Sequence, residues 1–492
     1  MDYGIHWFRR DLRVAGNPAL REIVTKYKGR VLGIFCFDRD FLGRDDFSYN
    51  RFQFFLETLI ELKKELREIG GDLLVVDTAP LTFFNKLHLD FIENNIVLPS
   101  SVSWNIDYEP FALSRDQKIA TFFKSKQIEV INFRDHLVIE PNELCKDNGD
   151  TYQVFTPFAR KWMEIFESDK VQARIAIQKK AFEYLDQRIN DKKLSIFTLS
   201  WKEILNKKIN YEDSLKFFYE ENKQHVTIDI PKAGSLAAFE ALENFKKHLD
   251  EYGVDRDYPA LRGTSNLSHF LKNGSITTSQ IIYYLKLKSY QKKISGRDVY
   301  FSELVWREFY YHILFHHPRV EKEAFLQKYN GINWENAKKH FEKWKNGQTG
   351  FPIVDAGMRE LNSTGWMHNR VRMIVASFLT KDLLIDWKWG EKYFMEKLLD
   401  GDLAANNGGW QWAASTGVDP QPYFRVFNPW LQGQKFDPQG EYIKKYIPEL
   451  RNVDNKKLHT PSDELAKAYM KPIVDHTSQR TKAINLFKIK NE

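Results

Sequence analysis

The chain is poor in the residues that mark several protein classes. Two cysteines, Cys36 and Cys145, occur in 492 residues. That is too few for a disulfide framework, and their separation matches no zinc motif. No stretch approaches about 18 consecutive apolar residues, so no membrane span is expected. The opening MDYGIHWFRRD lacks the apolar run of a secretory leader. A reducing, cytoplasmic setting is therefore expected. Neither G-x-G-x-x-G nor G-x-x-x-x-G-K-[ST] occurs in the first third, which argues against a dinucleotide or nucleoside triphosphate held on a glycine-rich first turn. Repeats and low-complexity tracts are absent too.

Aromatic residues are abundant: 13 Trp, 22 Tyr and 37 Phe. Such a supply suits a large core and also a site for a flat ligand. The net charge of +7 permits nucleic-acid binding without establishing it. The length exceeds one ordinary core, so two or three domains are expected.

Strand and helix signals alternate through the first third. Tyr3 to Phe8, Val31 to Phe37, Asp72 to Val76, Ser101 to Trp104 and Glu129 to Phe133 read as strands. Arg51 to Glu68, Phe83 to Asn95 and Ser114 to Lys126 read as helices, and Asn17-Pro18 reads as a helix start. This pattern predicts an α/β domain with a Rossmann-like parallel sheet and helices on both faces over residues 1–134. Residues 135–205 read as an irregular inter-domain connection with some helix. Residues 206–490 read as a large all-α domain.

Four segments of the helical part carry unusual side-chain sets. Gly263-Thr264-Ser265 offers a turn, two hydroxyls and free N–H groups, which can cap a helix or hold an anion. Glu303, Trp306, Arg307 and Tyr310 share one helix face by spacing, as either a functional stripe or a surface one with an internal ion pair. Gly365 to Leu379 reads as a helix with Asn369, Arg372 and Met373 on one side. Asp400 and Asp402 flank a glycine ahead of Asn406, Asn407, Gly408-Gly409, Trp410 and Trp412. Paired carboxylates invite a metal or hydrolase reading, but no extended set of oxygen ligands accompanies them, so no metal is expected.

The segments HWFRRDLR, GTSNLS, WREFYYH, GWMHNRVRMIVASFL and DGDLAANNGGWQWAASTG resemble those of the class I cyclobutane pyrimidine dimer photolyases. The resemblance runs through nearly the whole chain and is strongest from Tyr252 to Leu450. It implies light-driven DNA repair, with photoexcited FADH⁻ in the helical domain giving an electron to a flipped-out dimer. DNA containing pyrimidine dimers is the implied partner. A monomer is expected, associated with the nucleoid when DNA is bound.

The same resemblance implies residue roles. Tyr252, Thr264, Ser265, Leu267 and Ser268 would hold the FAD diphosphate side. Arg307, Arg372, Asp400, Asp402 and Asn406 would serve the rest of the cofactor, with Asn406 beside the flavin ring. Glu303 would hydrogen-bond the dimer, and Trp306, Asn369, Met373 and Trp412 would line its pocket. Arg256 and Arg370 would meet the DNA backbone. Trp410, Trp387 and Trp334 would form an electron relay to the surface.

Departures within the pattern bear on the alternatives. Plant cryptochromes, blue-light signalling proteins of this fold, typically carry Asp where this chain has Asn406. That favours repair over a photoreceptor role. The 6-4 branch uses His where this chain has Asn369. Folate-binding members carry Asn-Glu where this chain has Phe111-Ala112. A deazaflavin or another flavin is therefore expected ahead of folate as any antenna chromophore.

Overall fold

A computed structural model describes residues 2–190 and 194–488. Residues 191–193 of the expected connection and 489–490 of the expected helical domain lie outside the described residues.

Five short runs pair side by side because each is apolar and ends at a turn or helix cap. β1 (Gly4–Trp7), β2 (Val31–Cys36), β3 (Leu73–Val76), β4 (Ser101–Asn105) and β5 (Glu129–Phe133) form one parallel sheet in the order β3-β2-β1-β4-β5. The first four are buried along their whole length, which is why they read as near-continuous rather than alternating runs.

The helices between them are α1 (Pro18–Lys26), α2 (Tyr49–Glu68), α3 (Pro80–Glu93) and α4 (Pro110–Ser125). Leu20, Ile23, Leu59 and Leu62 of α1 and α2 join Phe8 and Phe35 in one core. Phe84, Ile119 and Phe123 of α3 and α4 join Trp7 and Trp104 in another. Each such side chain contributes about 1.5–3 kcal/mol by leaving water. Asn17 starts α1 as its side chain accepts from Leu20 N at 3.0 Å. The sequence reading starts α3 and α4 at Phe83 and Ser114. They begin earlier, at Pro80 and Pro110, because a first-turn proline forfeits only an N–H that has no helical partner.

The segment read as an irregular connection is largely helical. It contains α5 (Phe155–Phe166), followed by helices at Asp169–Ala176 and Lys179–Ile189. Leu137 to Leu144, with α5, buries into the core of the helical half. Phe197, Leu199 and Trp201 return to the sheet, where Trp201 Nε1 donates to Gly33 O at 2.7 Å. Short helices broken every ten residues or so leave no long periodic run to read.

Beyond Leu205 all regular elements among the described residues are helical. Those that build the site are α6 (Gly296–His316), α7 (Asn369–Ser377), α8 (Trp387–Lys397) and α9 (Leu403–Ala414). The chain's last described helix is α10 (His476–Phe487). The run expected as one helix from Gly365 to Leu379 is interrupted at both ends. Gly365, at φ +67°, terminates the preceding helix, and α7 starts only at Asn369, capped by His368. It ends in a single π turn over Phe378–Asp382. Among the described residues no helix is long and apolar enough to cross a membrane.

Candidate active site

The helical half encloses a cavity of about 510 Å³, within the range of small-molecule sites. Its floor is α9. Gly408 presses that helix on α6, since a methyl there would strike the Tyr310 ring, whereas a methyl on Gly409 would meet open space. α6 supplies Glu303, Trp306 and Arg307 to the wall. α7 supplies Asn369, Arg372 and Met373, and the turn before Ser268 supplies Thr264, Ser265 and Leu267.

Of the residues singled out from sequence, the cavity gathers Tyr252, Arg256, Thr264, Ser265, Leu267, Ser268, Glu303, Trp306, Arg307, Asn369, Arg372, Met373, Asp400, Asp402, Asn406, Trp410 and Trp412. Arg370, Trp387 and Trp334 do not line it. Thr264 and Ser265 do not cap a helix. The helix at Ser268 is preceded by Leu267 in a helical conformation, with no side-chain cap. Thr264 and Ser265 both line the cavity, with the Thr264 hydroxyl donating to Asn266 Oδ1 at 3.5 Å and the Ser265 side chain hydrogen-bonded to Tyr300.

The two carboxylates are held ionised by different partners. Arg372 Nη2 reaches the Asp400 oxygens at 2.9 and 3.2 Å. Burial alone would raise the Asp400 pKa, but the Arg372 charge and hydrogen bond, the Ser268 hydroxyl and His269 together outweigh it and hold the carboxyl below its usual range. Asp402 is also buried, yet Lys272, Arg10 and Arg307 together hold it well below that range. Its Oδ1 accepts from Ala405 N at 3.2 Å, which starts α9. Its Oδ2 accepts from Arg10 Nη2 at 3.1 Å and from the Tyr311 hydroxyl.

Arg10 stands at the carboxyl end of β1, so the sheet takes part in this site. In open parallel sheets a ligand crevice forms where the strand order reverses, here between β1 and β4. Ion pairs fill that position instead. Arg10 also donates to Glu109 at 2.8 Å, Lys272 Nζ donates to the same carboxylate at 2.9 Å, and Arg9 pairs with Asp116.

Arg307 does not pair with Glu303 as a surface stripe would. Its guanidinium donates to His136 at 2.6 Å. Burial, with the Arg10 and Arg307 charges, drives the His136 pKa far below normal and leaves a neutral acceptor ring. Glu303 instead accepts from Arg256 Nη1 at 2.6 Å. Trp306 lies flat on Phe155, at 3.7 Å between ring centroids and 6° between planes. Asn406 Nδ2 donates to Glu391 O at 3.0 Å, and its oxygen has no protein donor among the described residues.

Three tryptophans lead away from the cavity. Trp410 is buried against Phe394 and Trp344. Gly390 of α8 packs directly on its indole, where any Cβ would clash. Trp387 begins α8 one turn earlier and is buried in the same cluster. The loop before it is pinned to the Trp334 segment, with Glu335 N donating to Leu384 O at 2.9 Å and Asp386 N to Asn336 Oδ1 at 2.9 Å. Trp334 packs at the outer edge of that cluster and is half-buried.

Sequence reasoning missed Lys272, Trp366, Phe394 and Leu398, which also line the cavity. Lone lysines and leucines at helix ends carry no local signal. It missed Glu308 as well, which is fully buried and accepts from Val138 N at 2.6 Å and Trp162 Nε1 at 2.7 Å. The stripe reading of α6 could have found it, as a carboxylate on the face that the aromatic residues bury.

Two family models match the chain. The DNA photolyase model covers residues 4–176, and the model for the FAD binding domain of DNA photolyase covers residues 300–489. A deoxyribodipyrimidine photo-lyase of Alkalihalophilus pseudofirmus is 36% identical, with the match spanning 98% of this chain and 97% of that protein. A bacterial class III photolyase from Agrobacterium tumefaciens superposes with a TM-score of 0.80 at 32% identity, covering 99% of this chain and 97% of that one. An archaeal photolyase from Sulfolobus tokodaii, solved with two FAD molecules, gives a TM-score of 0.75 at 31% identity and covers 99% and 100%.

Proposed function

The chain belongs to the DNA photolyase family, and from that membership we propose a role for each wall of the cavity. The activity is that of a deoxyribodipyrimidine photo-lyase: light-dependent repair of cyclobutane pyrimidine dimers in DNA. FAD is the cofactor; bound and reduced, it supplies the light absorption and the electron that splits the dimer.

The observation that carries the assignment is the composition of one cavity. Cations, hydroxyls, paired carboxylates and an amide share it with Leu267, Leu304, Met367 and Phe394. Such a lining fits a flat apolar ring with polar edges joined to a charged diphosphate. Thr264, Ser265 and Ser268 hold the phosphate side, with Tyr252 packed behind. Asp400 and Asp402, fixed by Arg372 and Arg10, accept from ring and ribityl donors. Asn406 offers an acceptor oxygen to the ring edge.

The mouth of the cavity takes the lesion. Trp306 and Trp412 present flat faces to an everted pyrimidine dimer, Asn369 and Met373 close its sides, and Glu303 accepts from or orders the base edges. Trp410, Trp387 and Trp334 form a route by which the bound cofactor is reduced from the surface. Any antenna chromophore is a deazaflavin or another flavin rather than a folate, because the folate ligands are replaced by Phe111 and Ala112. Phe111 is exposed, and Ala112 is buried.

The test uses purified protein, reduced FAD and dimer-containing DNA. Restored ultraviolet absorbance of the bases is read under blue light and in darkness. Repair in darkness, or none in light with reduced FAD present, removes the assignment. Replacing Trp410 by Phe should slow photoreduction of the bound cofactor, and an unchanged rate removes the relay.

A further inference from the structure

Two arginines, Arg256 in the cavity wall and Arg370 outside it, are engaged by carboxylates of the protein itself. Arg256 Nη1 donates to Glu303 Oε1 at 2.6 Å, and Arg370 Nη2 donates to Asp257 Oδ1 at 2.5 Å. Arg256 and Asp257 are consecutive. One turn after the short helix Tyr252–Asp255 therefore carries a cation that grips α6 and an anion that grips α7. The turn is a strap beside the cavity, tied by two ion pairs of opposite sense, one on the cavity wall and one outside it.

All four partners are partly solvent-exposed, with side-chain exposures of 20, 30, 21 and 36% for Arg256, Glu303, Arg370 and Asp257. Neither pair is locked in the core, and partly exposed ion pairs add little to stability. A phosphate oxygen competes directly with a carboxylate oxygen for a guanidinium. The strap is thus held by bonds whose carboxylate oxygens a polyanion can replace one for one.

We propose that this strap couples recognition of the everted bases to binding of the DNA backbone, with Asp257 a specificity-determining residue. The inference rests on the repair reading of the cavity. While Glu303 and Asp257 hold the two arginines, each guanidinium already has a carboxylate partner that phosphate must displace or share, and undamaged duplex is bound mainly by other surface charges. An everted dimer draws Glu303 onto its own polar edge, and Arg256 loses its partner. The turn then swings, Asp257 releases Arg370, and both cations pass to phosphates. Backbone contact at these two positions is thereby conditional on a lesion in the cavity.

Salt dependence counts phosphates, at a slope of about 0.9 per phosphate neutralised on duplex DNA. Fluorescence anisotropy would follow binding of an undamaged duplex and of the same duplex with one cyclobutane dimer, both in darkness over a range of salt. In the unaltered protein the lesion duplex should show the steeper slope, by about 1.8 for two phosphates. Asp257→Asn should steepen the slope for undamaged duplex by about 0.9 and leave the lesion slope unchanged. Its affinity for undamaged DNA should rise severalfold, and Asp257→Glu should restore the original values. Glu303→Gln, which frees Arg256 at the other end, should also steepen the undamaged slope. Equal slopes for the two duplexes in the unaltered protein overturn the strap, as does an Asp257→Asn slope unchanged on undamaged DNA. The same preparations are assayed for repair in light. Equal slopes in the unaltered protein with intact repair indict the strap alone, whereas absent repair in the unaltered protein indicts the reading beneath it.

Discussion

The carboxyl end of the sheet and the cavity of the helical half are both crowded with charged and polar groups, yet they use them in opposite ways. At the sheet most of the groups pair with one another, although Arg9 Nε and Arg10 Nε are buried without a partner among the described residues. Asp11 accepts from Arg9 N at 2.8 Å, Asn105 at 2.6 Å and Asn17 at 3.2 Å, and Arg13 is paired with Asp135 at 2.5 Å. In the cavity, Asp400, Asp402 and Asn406 are each anchored by the protein while still lining open space. A closed network contributes to stability, and an open one is poised for a ligand.

The sharpest way to break this comparison is to cut an open pair. Asp400→Ala leaves Arg372 without its partner and removes a charged acceptor from the cavity, and should raise the FAD dissociation constant about 10- to 100-fold, since a hydrogen bond to a charged group is worth roughly 1.5–3 kcal/mol. Flavin absorbance after gel filtration would measure it. Stoichiometric FAD on the variant would show that the pair is structural only.

A second test separates closed from open within one helix. Glu303 lines the cavity, while Glu308, farther along α6, is sealed by protein donors. Burial lifts the Glu308 pKa from 4.5 to about 7. An acid raised in this way contributes stability that is complete below pH 4.5 and is lost as the pH climbs through 7. The loss is on the order of 3 kcal/mol at 1.36 kcal/mol per unit. Glu391, pushed up to about 8 by burial, extends the same trend. Melting temperature should therefore fall between pH 5 and pH 8, and Glu308→Gln should flatten part of that fall. A profile unaffected by the substitution would mean that Glu308 titrates normally.

The smallest effect is expected in the sheet network. Asn17→Ala removes the cap of α1 and one donor to Asp11, and should cost about 0.5–2 kcal/mol by chemical denaturation. FAD affinity should not change. A parallel loss of FAD would show that the sheet network reaches the cavity beyond Arg10.

Legibility followed the same division. The strands were plain in the sequence because burial on both faces demands unbroken apolar runs such as VLGIFC. Asn17-Pro18 announced α1 because the cap is local chemistry. The cavity was legible only through resemblance, since Asp400, Thr264 and Glu303 lie far apart in sequence and meet through tertiary packing. Partners were the least legible part. Nothing local ties Arg307 to His136, Arg256 to Glu303 or Arg10 to Asp402, because each pair is chosen by how separate elements dock. Arg370, read as a free phosphate contact, turned out to be engaged by Asp257 for the same reason.

Adjacent glycines on α9 look interchangeable on paper and are not. Position 408 is a contact surface, and even a methyl there would wedge two helices apart. Position 409 is a dial: side chains of graded size would subtract volume from the chamber one increment at a time while leaving the helix seated. A series from Ala through Ser to Val at 409 would measure how much of that chamber a bound ring needs, without moving any of the groups that hold it.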